Sequence, residues 1–168
     1  MSAPSPELLH SPLEPVVGAD TRVLVLGSLP GVSSLAAGRY YAHPRNRFWH
    51  LAGQVIGQDL ESLDYDARLA ALLSGGIGLW DTVASARRKG SLDADIRDAV
   101  PRDLNALCDT LPALRAVAFN GKTSARIGTG QVDHERYSLV TLPSSSPANA
   151  AVPLAEKERQ WLELRKFI

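Results

Sequence analysis

The segment Tyr40-Tyr41-Ala42-His43-Pro44-Arg45-Asn46-Arg47-Phe48-Trp49 gathers side chains suited to binding anions and flat rings. From Arg22 to Gln58 no Asp or Glu occurs, while Arg22, Arg39, Arg45, Arg47, His43 and His50 do. Cations neutralise phosphates, and aromatic faces stack on nucleobases. The plain alternative is a basic surface loop whose Phe48 and Trp49 turn inward as the next helix begins. That description suits Phe48 and Trp49. It suits Tyr40–Asn46 less well, because aromatics in a polar loop lack a core-packing period.

An apolar run, Arg22-Val23-Leu24-Val25-Leu26, must position this segment; bounded by Gly and Pro, it reads as a buried strand. Gly27 permits a turn at its end, and Pro30-Gly31 predict a loop rather than a helix. In an open α/β sheet, ligands bind outside the carboxyl ends of strands. Three more strands are predicted: Ile77–Trp80, Arg115–Phe119 and Tyr137–Leu142. Helices are expected from about Asn46 to Ile56, over Tyr65–Leu73 behind an Asp64 cap, from Pro101 in a first turn to Leu111, briefly toward Ile127, and over Leu154–Ile168. In the last of these Leu154, Trp161, Leu164 and Ile168 share a stripe, with Glu156, Lys157, Glu158 and Arg159 in solvent. Alternating strands and helices imply a three-layer α/β/α fold with a four-stranded parallel sheet and all post-strand loops on one edge.

Those loops hold the remaining polar candidates. Asp81 follows the second strand; it reads the edge of a bound ring, caps a helix or pairs with Arg87. Arg87-Arg88-Lys89-Gly90-Ser91 reads as a basic loop. Asn120-Gly121-Lys122-Thr123 lacks the Walker spacing, and Lys122 at a helix start is placed to touch a phosphate. Pro143-Ser144-Ser145-Ser146-Pro147-Ala148-Asn149 follows the fourth strand.

The chain has 168 residues, 45% hydrophobic and 21% charged, with a formal net charge of +0; this is the profile of one soluble domain. Neutrality disfavours a long-footprint, strongly salt-dependent binder but allows one basic face. The lone cysteine, Cys108, excludes a disulfide framework, a four-thiolate cluster and a cysteine-based zinc site. It falls in an apolar-periodic segment and is expected to be buried. No apolar run nears membrane-spanning length and no secretory signal opens the chain, so a cytoplasmic protein is expected. Residues 1–19 are rich in Pro and Ser. They read as a tail, partly disordered or wrapping a single domain of residues 20–168, with Leu8, Leu9 and Leu13 as anchors.

Gly27-Ser28-Leu29-Pro30-Gly31 with His43-Pro44-Arg45-Asn46-Arg47-Phe48-Trp49 resembles the first motif of the uracil-DNA glycosylase superfamily. It is similar to the mismatch-specific uracil/thymine glycosylases, except that Ser28 stands where they carry a catalytic Asn. Ser28 together with Tyr40–Asn46 resembles the sixth family, the hypoxanthine-DNA glycosylases, in which the catalytic Asn is implied at Asn46. The loop Leu142–Asn149 resembles the superfamily's second motif, with Ser144 in place of the usual His or Asn.

The resemblance implies a monofunctional DNA glycosylase, a monomer that needs no cofactor or metal and acts on DNA carrying deaminated bases: hypoxanthine, uracil or xanthine. In such a reaction positive charge develops on the sugar and negative charge on the departing base. An Asn amide then holds water through its oxygen or donates to the base; Asn46 is equally a helix cap. Ser28 donates to water or base, or bonds its own backbone as a turn residue. Gly27 and the backbone N–H groups of Ser28 and Leu29 meet the base edge. Tyr41 stacks on the extruded base, and Asp81 accepts from a purine N1–H. His43 is a general acid or a structural hydrogen bonder. Ser144, Ser145 and Ser146 contact phosphates, with Pro147 beside Ala148 as a small wedge. Neither the first motif nor the fourth-strand motif contains a lysine, which argues against Schiff-base lyase chemistry. The remaining readings are a mismatch-directed glycosylase, disfavoured by Ser28 and Ser144, and a non-catalytic nucleotide- or DNA-binding module.

Overall fold

A computed structural model describes residues 6–168. Its strands are β1 (Leu8–His10), β2 (Val23–Gly27), β3 (Ile77–Asp81), β4 (Val83–Arg87), β5 (Arg97–Pro101), β6 (Ala116–Asn120) and β7 (Ser138–Leu142). Its helices are α1 (Val32–Ala37), α2 (Phe48–Ile56), α3 (Tyr65–Ser74), α4 (Leu104–Cys108), α5 (Lys122–Gly128) and α6 (Leu154–Trp161), with a 3-10 turn over Leu162–Phe167.

Four of the strands form the expected parallel sheet, in the order β3-β2-β6-β7. Val23, Leu24, Val25 and Leu26 are wholly buried, as a central strand covered on both faces requires. Val23, Val25, Ile77, Leu79, Ala116 and Ala118 pack on one face against α2, Leu72 of α3, Trp161 of α6 and Leu164. Leu24, Leu26, Val117 and Phe119 pack on the other, against α4 with Leu111, Leu114, Val132 and Tyr137. Cys108 is buried there. Complete burial of each such Leu or Phe contributes about 1.5–3 kcal/mol. The register sets Gly27 opposite Asp81, and Asn120 opposite Leu142. The four strands therefore deliver their following loops to one edge.

A second, three-stranded antiparallel sheet, β1-β4-β5, was not expected. β4 (Val-Ala-Ser-Ala-Arg) and β5 (Arg-Asp-Ala-Val-Pro) carry little apolar alternation, and their pairing is interrupted by register shifts. Pro101 ends β5 instead of opening a helix; at a strand terminus its missing N–H costs nothing. The helix begins three residues later behind the Asp103 side chain, which accepts from the Ala106 N–H.

The Pro/Ser-rich stretch is laced onto the domain from Pro6 onward; the first five residues lie outside the described residues. β1 pairs with β4, and Val16 pairs antiparallel with Leu79, covering the β3 edge. Leu13 enters the main core and Leu9 packs near Leu29 and Val83, whereas Leu8 is exposed.

Two local expectations need correction. α1 starts at Val32, directly after Pro30-Gly31, where a loop was expected. Its first N–H is satisfied from afar, by the Ser91 hydroxyl at 2.9 Å, so no local cap residue announced it. Lys157, expected in solvent, is 4% exposed.

Candidate active site

The carboxyl edge of the parallel sheet is where the polar candidates meet. At Gly27 a Cβ would lie 3.3 Å from Tyr41 Oη and 3.5 Å from Asp81 Oδ1. The bare backbone of Gly27 thus lets three of the expected site residues converge. The Gly27 carbonyl accepts from the Thr82 N–H at 2.8 Å, which fixes the turn after β3.

Tyr41 adopts a left-handed backbone, φ 51°, rare for a residue with a bulky side chain. Its surroundings hold it there. The ring stacks on Phe48 with centroids 3.9 Å apart and planes 12° apart. Its carbonyl accepts from Trp49 Nε1 at 3.2 Å, and its hydroxyl accepts from Asn120 Nδ2 at 3.2 Å. Burial pushes the Tyr41 hydroxyl well above its ordinary value, so it stays protonated. Tyr40 turns inward, donating to the Glu14 carbonyl at 2.7 Å.

Asn120 is one residue whose role sequence reasoning missed. Beyond Tyr41, its Nδ2 donates to Ser145 Oγ at 2.9 Å, and its Oδ1 accepts from the Ser145 N–H at 2.9 Å. The Ser145 carbonyl in turn accepts from the Arg47 N–H at 3.0 Å. One buried carboxamide thus ties the loop after β7 to the Tyr41 loop, and Arg47 brings in the segment carrying Asn46. The available signal was an Asn closing the otherwise apolar strand Ala116–Asn120, the pattern that singled out Asp81.

The serines after β7 divide. Ser145, expected to donate to a phosphate, is fully buried with its hydroxyl engaged by Asn120; it is a strut. Ser144 and Ser146 are half-buried, and their hydroxyls accept from the N–H groups of Ser146 and Ala148. Pro147 and Ala148 are exposed on the same loop. Lys122 is the exposed first residue of α5, next to Gly121, where a Cβ would come 3.2 Å from that of Ser144.

Asp81 is 3% exposed. It neither caps a helix nor pairs with Arg87, which lies 3.6 Å from Asp98 instead. Its Oδ2 accepts from Ser11 Oγ at 3.0 Å. Arg102, stacked on Trp80 at 4.5 Å, donates to the Ser11 carbonyl. Burial drives the Asp81 carboxyl up to about 7, against the opposing effects of the Ser11 hydroxyl and the Arg102 charge. Ser11 comes from the N-terminal stretch and carried no local signal.

Ser28 bonds neither its own backbone nor Asn46; its Oγ donates to Asp93 Oδ1 at 2.6 Å. Burial raises the Asp93 carboxyl, opposed by the Ser28 hydroxyl and the Arg88 charge. Arg88, expected in a basic surface loop, is a buried clamp. It donates to the carbonyls of Leu29 at 3.0 Å, Pro30 at 2.6 Å and Gly90 at 2.8 Å. The Leu29 side chain packs with Val83, Ala86 and Ile96, so only its backbone faces the loop.

Asn46 precedes α2 by two residues, and Arg47 occupies the cap position. Asn46 Oδ1 accepts from the Phe48 N–H at 2.9 Å, a turn-type bond that serves the helix start. Its Nδ2 makes no hydrogen bond to any described residue. His43 Nδ1 accepts from the Arg45 N–H at 3.1 Å, the structural role. Among the described residues no His, Cys, Asp and Glu side chains cluster as metal ligands, and no helix is long and apolar enough to cross a membrane.

The model of the family described as the uracil DNA glycosylase superfamily matches residues 15–165. A hypoxanthine DNA glycosylase of Methanosarcina barkeri (strain Fusaro / DSM 804) is 40% identical over 152 residues, 90% of this chain and 95% of that protein. A hypoxanthine DNA glycosylase of Methanosarcina acetivorans is 36% identical over 151 residues, 87% of this chain and 91% of that protein. A solution NMR structure of a Methanosarcina acetivorans protein, described as a candidate uracil DNA glycosylase, superposes with a TM-score of 0.82 at 33% identity. It covers 92% of this chain and 96% of that one. Matched over nearly its whole length, the chain belongs to the uracil DNA glycosylase superfamily.

Proposed function

We propose that this DNA glycosylase hydrolyses the N-glycosidic bond of deoxyinosine, releasing hypoxanthine and leaving an abasic site. The observation that carries the reading is Asp81: a buried carboxyl, held at about 7, at the strand end beside Gly27 and Tyr41. A 6-oxopurine presents an N1–H that such a carboxylate accepts. The two curated relatives carry the name hypoxanthine DNA glycosylase, which supports the same substrate.

In this reading Tyr41, backed by Phe48, stacks on the extruded base. The backbone N–H groups of Ser28 and Leu29 reach its edge past Gly27. Asn46 orients water or steadies the departing base through its amide. Ser144, Ser146 and Lys122 meet the sugar-phosphate backbone, and Pro147-Ala148 form the wedge. Residues 20–168 act as one catalytic domain, and the preceding segment supplies Ser11 to Asp81. The reaction is hydrolytic and monofunctional and needs no cofactor; the enzyme works as a monomer in the compartment that holds the DNA.

The test is incubation with oligonucleotides carrying inosine, uracil or xanthine, followed by alkaline cleavage at abasic sites. Strand breaks at inosine are expected. Breaks confined to uracil would shift the assignment to the uracil/thymine branch, and breaks at none of the three would leave a DNA-binding module.

A further inference from the structure

α6 carries a cation for which the described residues supply no counterion. Lys157 is 4% exposed, and no carboxylate lies within 4 Å of its ammonium among the described residues. Its one polar contact among the described residues is a long one, Nζ to the Ser146 carbonyl at 3.5 Å. The neighbouring carboxylates are otherwise engaged: Glu156 holds Arg159 and Gln160, and Glu158 accepts from Gln54 beside His50. Burial, and after it the positive charge of Arg47, lower the proton affinity of Lys157. Lys157 also lies near the start of α6, where the helix dipole is positive. A buried, unpaired charge is costly to keep unless something neutralises it.

Lys157 lines a cleft of about 340 Å³. Arg45, Arg47, Ser146 and Pro147 line it too, and Val152 and Leu154 add apolar surface. Three cations over apolar walls suit an anion attached to an apolar frame, as in a sugar-phosphate backbone. The cleft also connects the segment carrying Asn46 with the loop carrying Pro147 and Ala148. We propose that this cleft binds one phosphodiester of the substrate DNA, with Lys157 and Arg47 as its cationic partners. The inference rests on the reading of the chain as a glycosylase that engages DNA.

The experiment measures affinity for a duplex carrying a tetrahydrofuran abasic analogue, by fluorescence anisotropy across a potassium chloride series. Losing one phosphate contact should reduce the slope of log affinity against log salt by about 0.9, and weaken binding about fivefold at 0.15 M salt. Lys157→Met is expected to show both changes with a thermal midpoint at or above the parent's, since an unpaired buried charge is gone. Lys166→Gln, at an exposed lysine beside Glu163, should leave the slope at the parent value. Should Lys157→Met fail to fold, Arg47→Gln carries the same test at a second lining cation, and its slope must fall too. A parental slope in the folded variants overturns the proposal. So does protection of the parent by millimolar inorganic phosphate, lost in Lys157→Met, with the DNA slope unchanged; that pattern marks a site for free anions. If the parent excises no base yet its DNA slope depends on Lys157, the cleft assignment stands and the substrate reading falls.

Discussion

Ser28 Oγ lies 2.6 Å from Asp93 Oδ1 and donates its proton there, across 65 residues of sequence. The residue at the heart of the first motif is therefore not a free donor to water or base. With its hydrogen committed, Ser28 Oγ is left as an acceptor. Arg88 completes the arrangement, since it binds the Leu29 and Pro30 carbonyls and its charge favours ionised Asp93. The segment after β4 thus fixes the shape of the Gly27–Gly31 loop.

Removing the Ser28 hydroxyl leaves the partly buried Asp93 carboxylate short of a partner. Ser28→Ala is expected to cost about 1 kcal/mol, toward the low end for an unsatisfied charged acceptor. Asp93→Asn in the same background should recover part of it, giving a non-zero coupling in a double-mutant cycle read from urea unfolding. Strictly additive effects would show that the hydrogen bond contributes no stability.

Asp81 makes a pH forecast. Its carboxyl sits at about 7 in the folded chain against an ordinary 3.8. The folded state holds this proton more tightly than the unfolded state does. The group's contribution to stability is therefore complete below the ordinary value and is lost as pH rises toward 7. Asp81→Asn, which cannot ionise, is expected to flatten that decline and to melt above the parent at pH 8. If ionised Asp81 accepts the purine N1–H, inosine excision by the parent should also fall below pH 7. An Asp81→Asn variant with an unchanged melting-against-pH curve would remove Asp81 as the titrating group.

Tyr41 separates two contributions. Tyr41→Phe keeps the ring on Phe48 and removes the acceptor for Asn120, whose Nδ2 still reaches Ser145. It should cost about 1 kcal/mol of stability and leave base stacking in place. Tyr41→Ala should also lose about 1–3 kcal/mol of stacking, read as weaker binding to an inosine-containing single strand. Equal binding by Phe and Ala variants would end the stacking role.

Which features were legible follows from how each signal is encoded. Val23–Leu26 and Ile77–Leu79 announce a buried parallel sheet because burial on both faces demands continuous apolar runs. Once the sheet is parallel, Gly27, Asp81 and Asn120 must share an edge. β4 and β5 stayed hidden because Val83, Ser85 and Arg87 become strand residues by pairing with Pro101, Val100 and Arg97, not by a pattern of their own. The partners Ser11 and Asp93, and the bond that makes Ser145 a strut rather than a phosphate donor, escaped for the same reason. Each of the three is a small polar residue whose role is set by a contact 25 or more positions away. Lys157 looked solvated because it sits in the charged run Glu156–Arg159; its contact with the Ser146 carbonyl, eleven positions away, has no local signal.

Asn46 yields the sharpest forecast, because its two amide atoms have different fates. Oδ1 accepts from the Phe48 N–H at 2.9 Å, while Nδ2 has no partner among the described residues. The oxygen thus has one lone-pair direction taken, and the NH2 group retains its full capacity to donate. Asn46→Ala should lose both functions, with about 1 kcal/mol from the lost hydrogen bond to Phe48 N–H and a 10²–10³-fold slower chemical step, roughly the usual effect of deleting one preorganised polar group. Asn46→Asp retains an oxygen for Phe48 and should melt like the parent, yet it loses the donor and adds negative charge where the departing base is already becoming negative. Its single-turnover rate on inosine-containing DNA is therefore expected to be as low as that of Asn46→Ala. Appreciable excision by Asn46→Asp would instead assign Asn46 to holding water through its oxygen. Parental rates in Asn46→Ala, with earlier melting alone, would reduce Asn46 to a residue that starts α2.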